Sequence, residues 1–385
     1  VGSNKISYFL ENTVNPSLGD ETPTEFYPGD LINKEAQFQA DFVQVVDLDY
    51  LAGPLTIGFG GTFMKESYEI TEGEPASYAD GPYAQADPWG FCTDLGTAEV
   101  GSPLTDAECG DPDDPVYTVI GVGSNGFPGY SPAFSGKYKR NSHGVYVDVS
   151  ADITEALFLE AAARYEDYSD FGNQLVYKFA GRYEFFDGFA VRGSYGTGFR
   201  APTPGQQGTT NVSTRLPNGF PVATGLFPAS SPVAQALGAD LLKPETSKNI
   251  TAGVTASFAG VNLSVDFYRI ALEDRVNAIS TQSVSSDPGA GAAYLNYLAL
   301  VDAGVVGAES IGGVFYFQNA FDTITKGVDF VATTDFDLGE IGTTSISLAA
   351  NYNKTEFDGD VNSLFNVEDQ FDFVNGEPNW RGIFT

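Results

Sequence analysis

Apolar and polar side chains alternate along this chain in runs of about ten to fifteen residues, which restricts its fold strongly. In residues 157–166, for example, the odd positions are apolar or aromatic, whereas Glu160, Arg164 and Glu166 occupy even positions. Side chains of a β-strand point alternately to its two faces, so this period indicates strands with one apolar and one polar face. Strands of soluble domains usually have about five or six residues. Longer runs fit tilted strands that cross a bilayer and continue beyond it.

The connections between these runs also alternate in length. Short turns are predicted at Leu51–Pro54, Asp152–Glu155, Asp187–Gly188, Ala259–Gly260 and Gly339–Gly342. Long connections are predicted at about Ser67–Gly136, Ala201–Glu245, Asn277–Thr325 and Phe357–Pro378, with one short exception at Ser169–Gly172. This segregation is typical of outer-membrane barrels, which have short periplasmic turns and long extracellular loops. We therefore predict an all-β fold, an antiparallel transmembrane β-barrel of about twelve strands, the first and last incomplete.

One run changes its parity part-way along. The apolar residues from Val261 to Phe267 share one parity, whereas Ile270 and Leu272 share the other. One extra residue in a strand of an antiparallel pair produces such a shift. We therefore expect a β-bulge near Tyr268–Arg269.

The chain is strongly acidic, with a formal net charge of −32 from 51 acidic and 19 basic residues. This balance argues against nucleic acid as a partner, because phosphate binding requires clustered cations. Acidic loops that keep the protein soluble are one interpretation, and cation binding by those loops is the other. The segment with Asp111, Asp113 and Asp114 is a weak calcium candidate, although prolines interrupt it and the spacing of an EF-hand is absent.

The two cysteines, Cys92 and Cys109, lie in one polar stretch rich in Gly, Pro and Asp. Further metal-type ligands are lacking around them, so a disulfide is a better prediction than a metal site. Closing a loop of this size would contribute roughly 3 kcal/mol. A disulfide would also imply an oxidising compartment.

Residues that could carry covalent chemistry are scarce. His143 is the only histidine, and a catalytic triad or a Cys/His pair requires one. Gly196 and Gly198 do not open a helix, and no Walker-type loop is present. We therefore predict that the protein is not an enzyme and has no cofactor or firmly indicated metal.

Two groups of residues are candidates for ligand binding. The first group shares the polar parity of three consecutive strands and comprises Arg164, Lys178, Arg182, Arg192 and Arg200. With Glu160, Glu166 and Glu184 nearby, these cations would form an ion-pair ladder in a lumen, or contact a plug domain or an anionic ligand. The second group comprises the loop aromatics Tyr83, Trp89 and Tyr130. They would pack within the loops, or line a mouth that captures a ligand.

Five segments resemble barrel strands and strand entries of TonB-dependent receptors, in the order of that family. They are Arg192–Pro202, Leu242–Gly253, Val265–Ile270, Lys326–Asp329 and Asn379–Gly382. The resemblance implies a barrel of about twenty-two strands that is occluded by an N-terminal plug. Residues 1–385 are then expected to form a partial barrel, without the plug and the C-terminal closing strands.

The resemblance also implies a function. Receptors of this family import a scarce nutrient across the bacterial outer membrane with energy from TonB, which would act through the plug. The ligand class stays open among siderophores, cobalamin, glycans and peptides, although the acidic balance disfavours anionic ferric complexes. A passive porin-like channel and a structural or adhesive surface protein are alternatives. A soluble β-sandwich, which would not contact membrane lipid, is a further alternative.

Overall fold

The computed structural model describes residues 1–84, 87, 89–94, 97–109, 121–132, 135–215, 222–305, 308 and 311–385. Its strands are β1 (Gly2–Ser7), β2 (Leu10–Glu11), β3 (Glu25–Phe26), β4 (Asp30–Val46), β5 (Leu55–Ile70), β6 (Cys92–Asp94), β7 (Thr97–Ala98), β8 (Gly136–Thr154), β9 (Leu157–Tyr168), β10 (Gly172–Phe186), β11 (Phe189–Arg200), β12 (Asn211–Arg215), β13 (Val222–Phe227), β14 (Glu245–Phe258), β15 (Val261–Ala278), β16 (Gln282–Ser283), β17 (Ile311–Asp337), β18 (Thr343–Phe357) and β19 (Trp380–Phe384). Its α-helices are α1 (Asp106–Cys109), α2 (Pro204–Gly208), α3 (Pro232–Ala236), α4 (Ala292–Asp302) and α5 (Val367–Asn375), and short 3-10 helices occupy Pro16–Glu21, Pro75–Ser77 and Gly339–Ile341. None of the helices in these described residues is long and apolar enough to cross a membrane.

Twelve of the described strands form a continuous antiparallel wall. Their order in the wall is β1, β4, β5, β8, β9, β10, β11, β14, β15, β17, β18 and β19. The ends of this wall, β1 and β19, are its shortest strands, with 6 and 5 residues. The predicted antiparallel β-barrel fold and its approximate strand number are therefore confirmed.

Cross-strand register separates the wall into two chemically different faces. The paired residues Tyr183, Val191, Val254, Val265 and Phe330 form an apolar row across β10, β11, β14, β15 and β17. The next row, one residue along each strand, is polar and contains Arg182, Arg192, Gly253, Asp266 and Asp329. Large side chains of the apolar face are exposed, including Phe38, Phe42, Leu175 and Phe179. We call these two surfaces the apolar face and the polar face.

The connections confirm most of the predicted loop pattern. Residues 47–54, 155–156, 187–188, 259–260 and 338–342 connect wall strands at one rim, whereas the longer connections 71–135, 201–244, 279–310 and 358–379 lie at the other. The connection predicted at Asn277–Thr325 is too long, because β17 already begins at Ile311. The first part of β17 is covered on both faces and pairs with β13 and β16. A strand buried on both sides lacks the alternation that would predict it.

The loops above β17 contain a small hydrophobic core of their own. It includes the fully buried Phe227, Leu300 and Val314, from β13, α4 and β17. The parallel pairing of β13 with β17 extends the sheet into this layer. Such burial fixes these loops in a defined arrangement at the long-loop rim.

The predicted bulge lies in a different place. Tyr268 and Arg269 pair regularly with Gly327 and Lys326, so the prediction near Tyr268–Arg269 is wrong. The register shifts instead between Leu272 and Val276, where Asp274 has a φ of 57°. Ile270 pairs regularly and lies on the polar face near the long-loop rim. The parity of the apolar residues therefore changes there without a bulge. The change in the pattern therefore reflects apolar residues on the polar face and not an extra residue.

Candidate functional site

The polar face carries an ion pair that crosses an intervening strand. The Arg192 guanidinium on β11 donates from Nε to Asp266 Oδ1 on β15 over 2.7 Å. Gly253 lies between them on β14, and a Cβ atom at this glycine would lie 2.0 Å from Asp266 Oδ1. The missing side chain therefore leaves room for the bridge. Ser264 supports it, since its hydroxyl accepts from Arg192 Nη2 and donates to Asp266.

The other four predicted cations also have carboxylate partners on this face. Lys178 Nζ lies 2.7 Å from Glu160, Arg182 Nη2 lies 2.7 Å from Glu184, Arg200 Nε lies 2.7 Å from Glu245, and Arg164 pairs with Glu166. The structure thus brings all five cations to one face in ion pairs. The neighbours Glu160, Glu166 and Glu184 were identified from the sequence, whereas Asp266 and Glu245 were missed. Their strands, β15 and β14, follow a long connection, so sequence distance gives no signal of this proximity.

A buried arginine that the sequence did not single out lies where the polar face meets the loops. Arg140 on β8 is 6% exposed and donates from Nε and Nη2 to Glu66 Oε2 on β5. Its Nη1 donates to the carbonyl oxygen of Pro202 over 2.6 Å. Its guanidinium also lies 5.2 Å from the ring centroid of Tyr168. Arg140 therefore joins two wall strands to the start of connection 201–244.

A cavity of about 670 Å³ opens beside this arginine. Its polar lining on β1, β4 and β5 includes Asn4, Asn33 and Glu35, which share the polar face with Glu66. Thr203 lines the opposite side and begins α2 with a capping box to Gln206. Amide and carboxylate groups in a concave site of this size can form hydrogen bonds to a small polar ligand.

A second cluster connects loop 358–379 to the wall. The Arg275 guanidinium lies 5.6 Å from the ring centroid of Phe321 and 5.1 Å from that of Phe373. Phe357 and Phe365 complete the aromatic packing around these rings. Cation–π contacts favour this enclosed position of an arginine. The cluster fixes α5, which lies in the same loop, beside the rim of the polar face.

The predicted loop aromatics occupy different environments. Tyr130 is 4% exposed and packs with Tyr68, Ile70 and Phe127, and this burial raises the pKa of its phenol. Tyr83 lies 6.5 Å from Trp89 between ring centroids, and Trp89 is half exposed. Trp89 is therefore the most accessible of the three, and a ligand-binding role for them stays a prediction.

The loop cysteines form the predicted disulfide. Cys92 and Cys109 are bonded with their Cα atoms 5.7 Å apart. The Asp87 carboxylate accepts from the backbone N–H groups of Phe91 and Cys92, which fixes the approach to the bond. The weak calcium candidate, Asp111, Asp113 and Asp114, lies outside the described residues. In the described part of the chain, no group of three or more His, Cys, Asp or Glu residues could hold a metal ion.

The wall, its two faces and its segregated loops agree with a known family. The chain matches the family described as TonB dependent receptor-like, beta-barrel, over residues 7–384. This protein belongs to the TonB-dependent receptor family. It is therefore an outer-membrane protein, with the apolar face outside the barrel and the polar face in its lumen.

Two solved structures share this receptor fold. The siderophore receptor PirA from Pseudomonas aeruginosa is 14% identical with a TM-score of 0.50, over 92% of this chain and 50% of that chain. A mutant of the ferric enterobactin receptor PfeA from Pseudomonas aeruginosa, in complex with enterobactin, is 10% identical with a TM-score of 0.51, over 92% of this chain and 40% of that chain. The likeness concerns the fold alone at these identities. This chain spans half or less of the length of either receptor.

Proposed function

We propose that this receptor imports a scarce nutrient across the outer membrane with energy supplied through TonB. The main support is the polar face, which carries paired cations such as Lys178 and Arg182, together with the cavity at Asn33 and Glu35 near the long-loop rim, which we call the mouth cavity. Such a surface offers many exchangeable hydrogen bonds to a polar solute. In a whole receptor, a plug domain would contact this lumen and gate the path.

We further propose that the ligand is uncharged or cationic rather than strongly anionic. The five lumen cations at positions 164–200 each contact a carboxylate, so they offer little unbalanced positive charge. The cavity lining adds the carboxylate of Glu35 and the ammonium group of Lys34, and its other carboxylate, Glu66, is paired with Arg140. The cavity therefore has no excess of positive charge that would attract a strongly anionic ferric complex.

Growth on limiting nutrients tests the proposed function. Deletion of the gene is expected to abolish growth on one limiting nutrient, from a panel of ferric siderophores of different charge, cobalamin, glycans and peptides. Expression of the wild-type receptor should restore growth, and deletion of tonB should abolish it again. Radiolabelled uptake then measures the transport directly.

Three results would contradict the proposal, each in a different way. Uptake that persists without TonB indicates a passive channel. Normal growth on every nutrient, together with lost surface attachment, indicates an adhesive protein. Selective import of a strongly anionic complex would contradict the proposal that the ligand is uncharged or cationic, but not the proposed receptor function.

Charge reversal at Arg192 tests whether the lumen pair takes part in import. Arg192→Glu is expected to lower uptake about fivefold, because a solvated ion pair contributes up to about 1 kcal/mol and the reversal replaces attraction to Asp266 by repulsion. The barrel should unfold at nearly the same temperature, because the pair contributes at most about 1 kcal/mol to a wall that is held together by its backbone ladders. Initial uptake rates at matched surface expression provide the measurement.

The double variant Arg192→Glu/Asp266→Arg serves as the matched control. It restores opposite charges across Gly253 and should return uptake to within about twofold of wild type, since the attraction of the pair is restored. Loss that persists in the double variant indicates that Arg192 contacts the ligand or the plug directly. Wild-type uptake in the single variant would exclude both roles.

A further inference from the structure

The cations of the wall differ between its two faces. On the polar face they are mainly arginines in ion pairs, such as Arg182 and Arg192. On the apolar face they are mainly lysines close to the long-loop rim, such as Lys248, Lys326 and Lys354. Only 19 basic residues occur in this chain of net charge −32, so a cluster of them outside the barrel requires an explanation.

Three of these outer cations lie directly beside one another. Arg269 on β15 pairs in register with Lys326 on β17, which pairs in register with Lys354 on β18. We call these three residues the cation row. Neighbouring strands lie about 4.8 Å apart, so the row spans roughly 10 Å. Like charges directly opposite in a sheet are unfavourable without a compensating anion.

The compensation within the described residues is incomplete. Glu356 lies 2.6 Å from Lys354 Nζ and also interacts electrostatically with Lys326. The side chain of Arg269 has neither a hydrogen bond nor an ion pair to any described residue, although its backbone pairs with β14 and β17. Lys248, on the adjacent strand β14, is paired with Glu273. The row therefore keeps an excess of positive charge on an exposed surface.

The position of the row relative to aromatic residues sets its depth. One step closer to the short-turn rim, Phe267, Val328, Tyr352 and Trp380 form the next cross-strand row on the same face. The rings of Tyr352 and Trp380 pack 4.9 Å apart between centroids. Tyr and Trp mark the level of the lipid headgroups on membrane proteins. The cation row lies two residues, or about 7 Å, beyond them, towards the extracellular rim.

We propose that Arg269, Lys326 and Lys354 form a binding site for the phosphate groups of a lipid in the outer leaflet. Three donors of hydrogen bonds in one row suit the several oxygens of a phosphate monoester. The aromatic row beneath would contact the part of the same molecule that lies next to its phosphates. This site is separate from the lumen, so it does not depend on the identity of the imported ligand.

Lipid binding by the purified full-length receptor in detergent tests this site. The probes are bis-phosphorylated lipid A, the same lipid without phosphates, and inorganic phosphate, titrated by native mass spectrometry. Wild type is expected to bind the phosphorylated lipid at least tenfold more tightly than the dephosphorylated lipid. Arg269→Gln/Lys326→Gln/Lys354→Gln should weaken that binding about a hundredfold, because each surface cation contributes roughly a fivefold factor.

Two control variants distinguish the effect of the cation row on lipid binding from the effects of net charge and of misfolding. Lys65→Gln/Lys137→Gln/Lys243→Gln removes three cations elsewhere and should bind within about threefold of wild type, since these lysines lie outside the row. Glu356→Gln removes the opposing carboxylate. It should bind the phosphorylated lipid about fivefold more tightly, because one surface charge changes the attraction of the phosphates by roughly that factor.

Three outcomes would overturn the proposal. The first is unchanged binding of phosphorylated lipid by the triple variant of the row, and the second is equal affinity of wild type for both lipids. The third is competition by inorganic phosphate at the concentration of the lipid, which would assign the row to a soluble anion.

Discussion

Replacing Arg140 with glutamine is expected to lower the free energy of unfolding by about 3–5 kcal/mol, because the change leaves a carboxylate unpaired in a largely buried site. Glu66 would lose two hydrogen bonds, and the carbonyl oxygen of Pro202 would lose its donor. Connection 201–244 should then become more sensitive to protease. Urea unfolding followed by circular dichroism in detergent, together with limited proteolysis, measures both effects.

The matched control removes both charges of the pair. Glu66→Gln/Arg140→Gln should recover more than half of the lost stability, since two neutral amides can bond to each other without a buried charge. Arg140→Lys should recover less, because an ammonium group cannot form the forked contact to Glu66 and Pro202 together. A wild-type unfolding curve for Arg140→Gln would show that this contact does not stabilise the receptor.

The double variant Cys92→Ser/Cys109→Ser is expected to lower the stability of connection 71–135 by about 3 kcal/mol, since a disulfide removes closure entropy from the open loop. The two cysteines are 17 residues apart. This corresponds to roughly a hundredfold faster protease cleavage of the loop, provided that cleavage requires local opening. The rate of cleavage on intact cells gives the measurement.

Reduced wild-type receptor is the control for the serine substitutions, and it should be cleaved at the rate of the double variant. The unfolding of the wall should stay unchanged, because its strands are held by backbone ladders that do not involve this loop. Equal cleavage of oxidised wild type and the double variant would mean that the neighbouring contacts of Asp87 already fix the loop.

The alternation of apolar and polar side chains predicted the wall well, because each strand has one apolar face regardless of which strands lie beside it. It failed where another layer covers both faces, as at the start of β17, and where the apolar residues Ile270 and Leu272 lie on the polar face. Cations of β9, β10 and β11 were assigned to one face correctly because short turns fix the register of these consecutive strands. The mouth cavity was not predicted, since it combines β1, β4 and β5 with a distant loop.

The sequence by itself determined most strands of the wall, its two faces, the separation of short turns from long loops, and the disulfide. These properties depend on residues close in the chain, where periodicity and spacing carry the physical signal. Only the tertiary structure decided which side chains meet across strands. The bridge from Arg192 to Asp266 over Gly253, the Arg140 contact and the cation row all depend on register between distant segments. Register is a property of the paired sheet, so a single strand does not contain it.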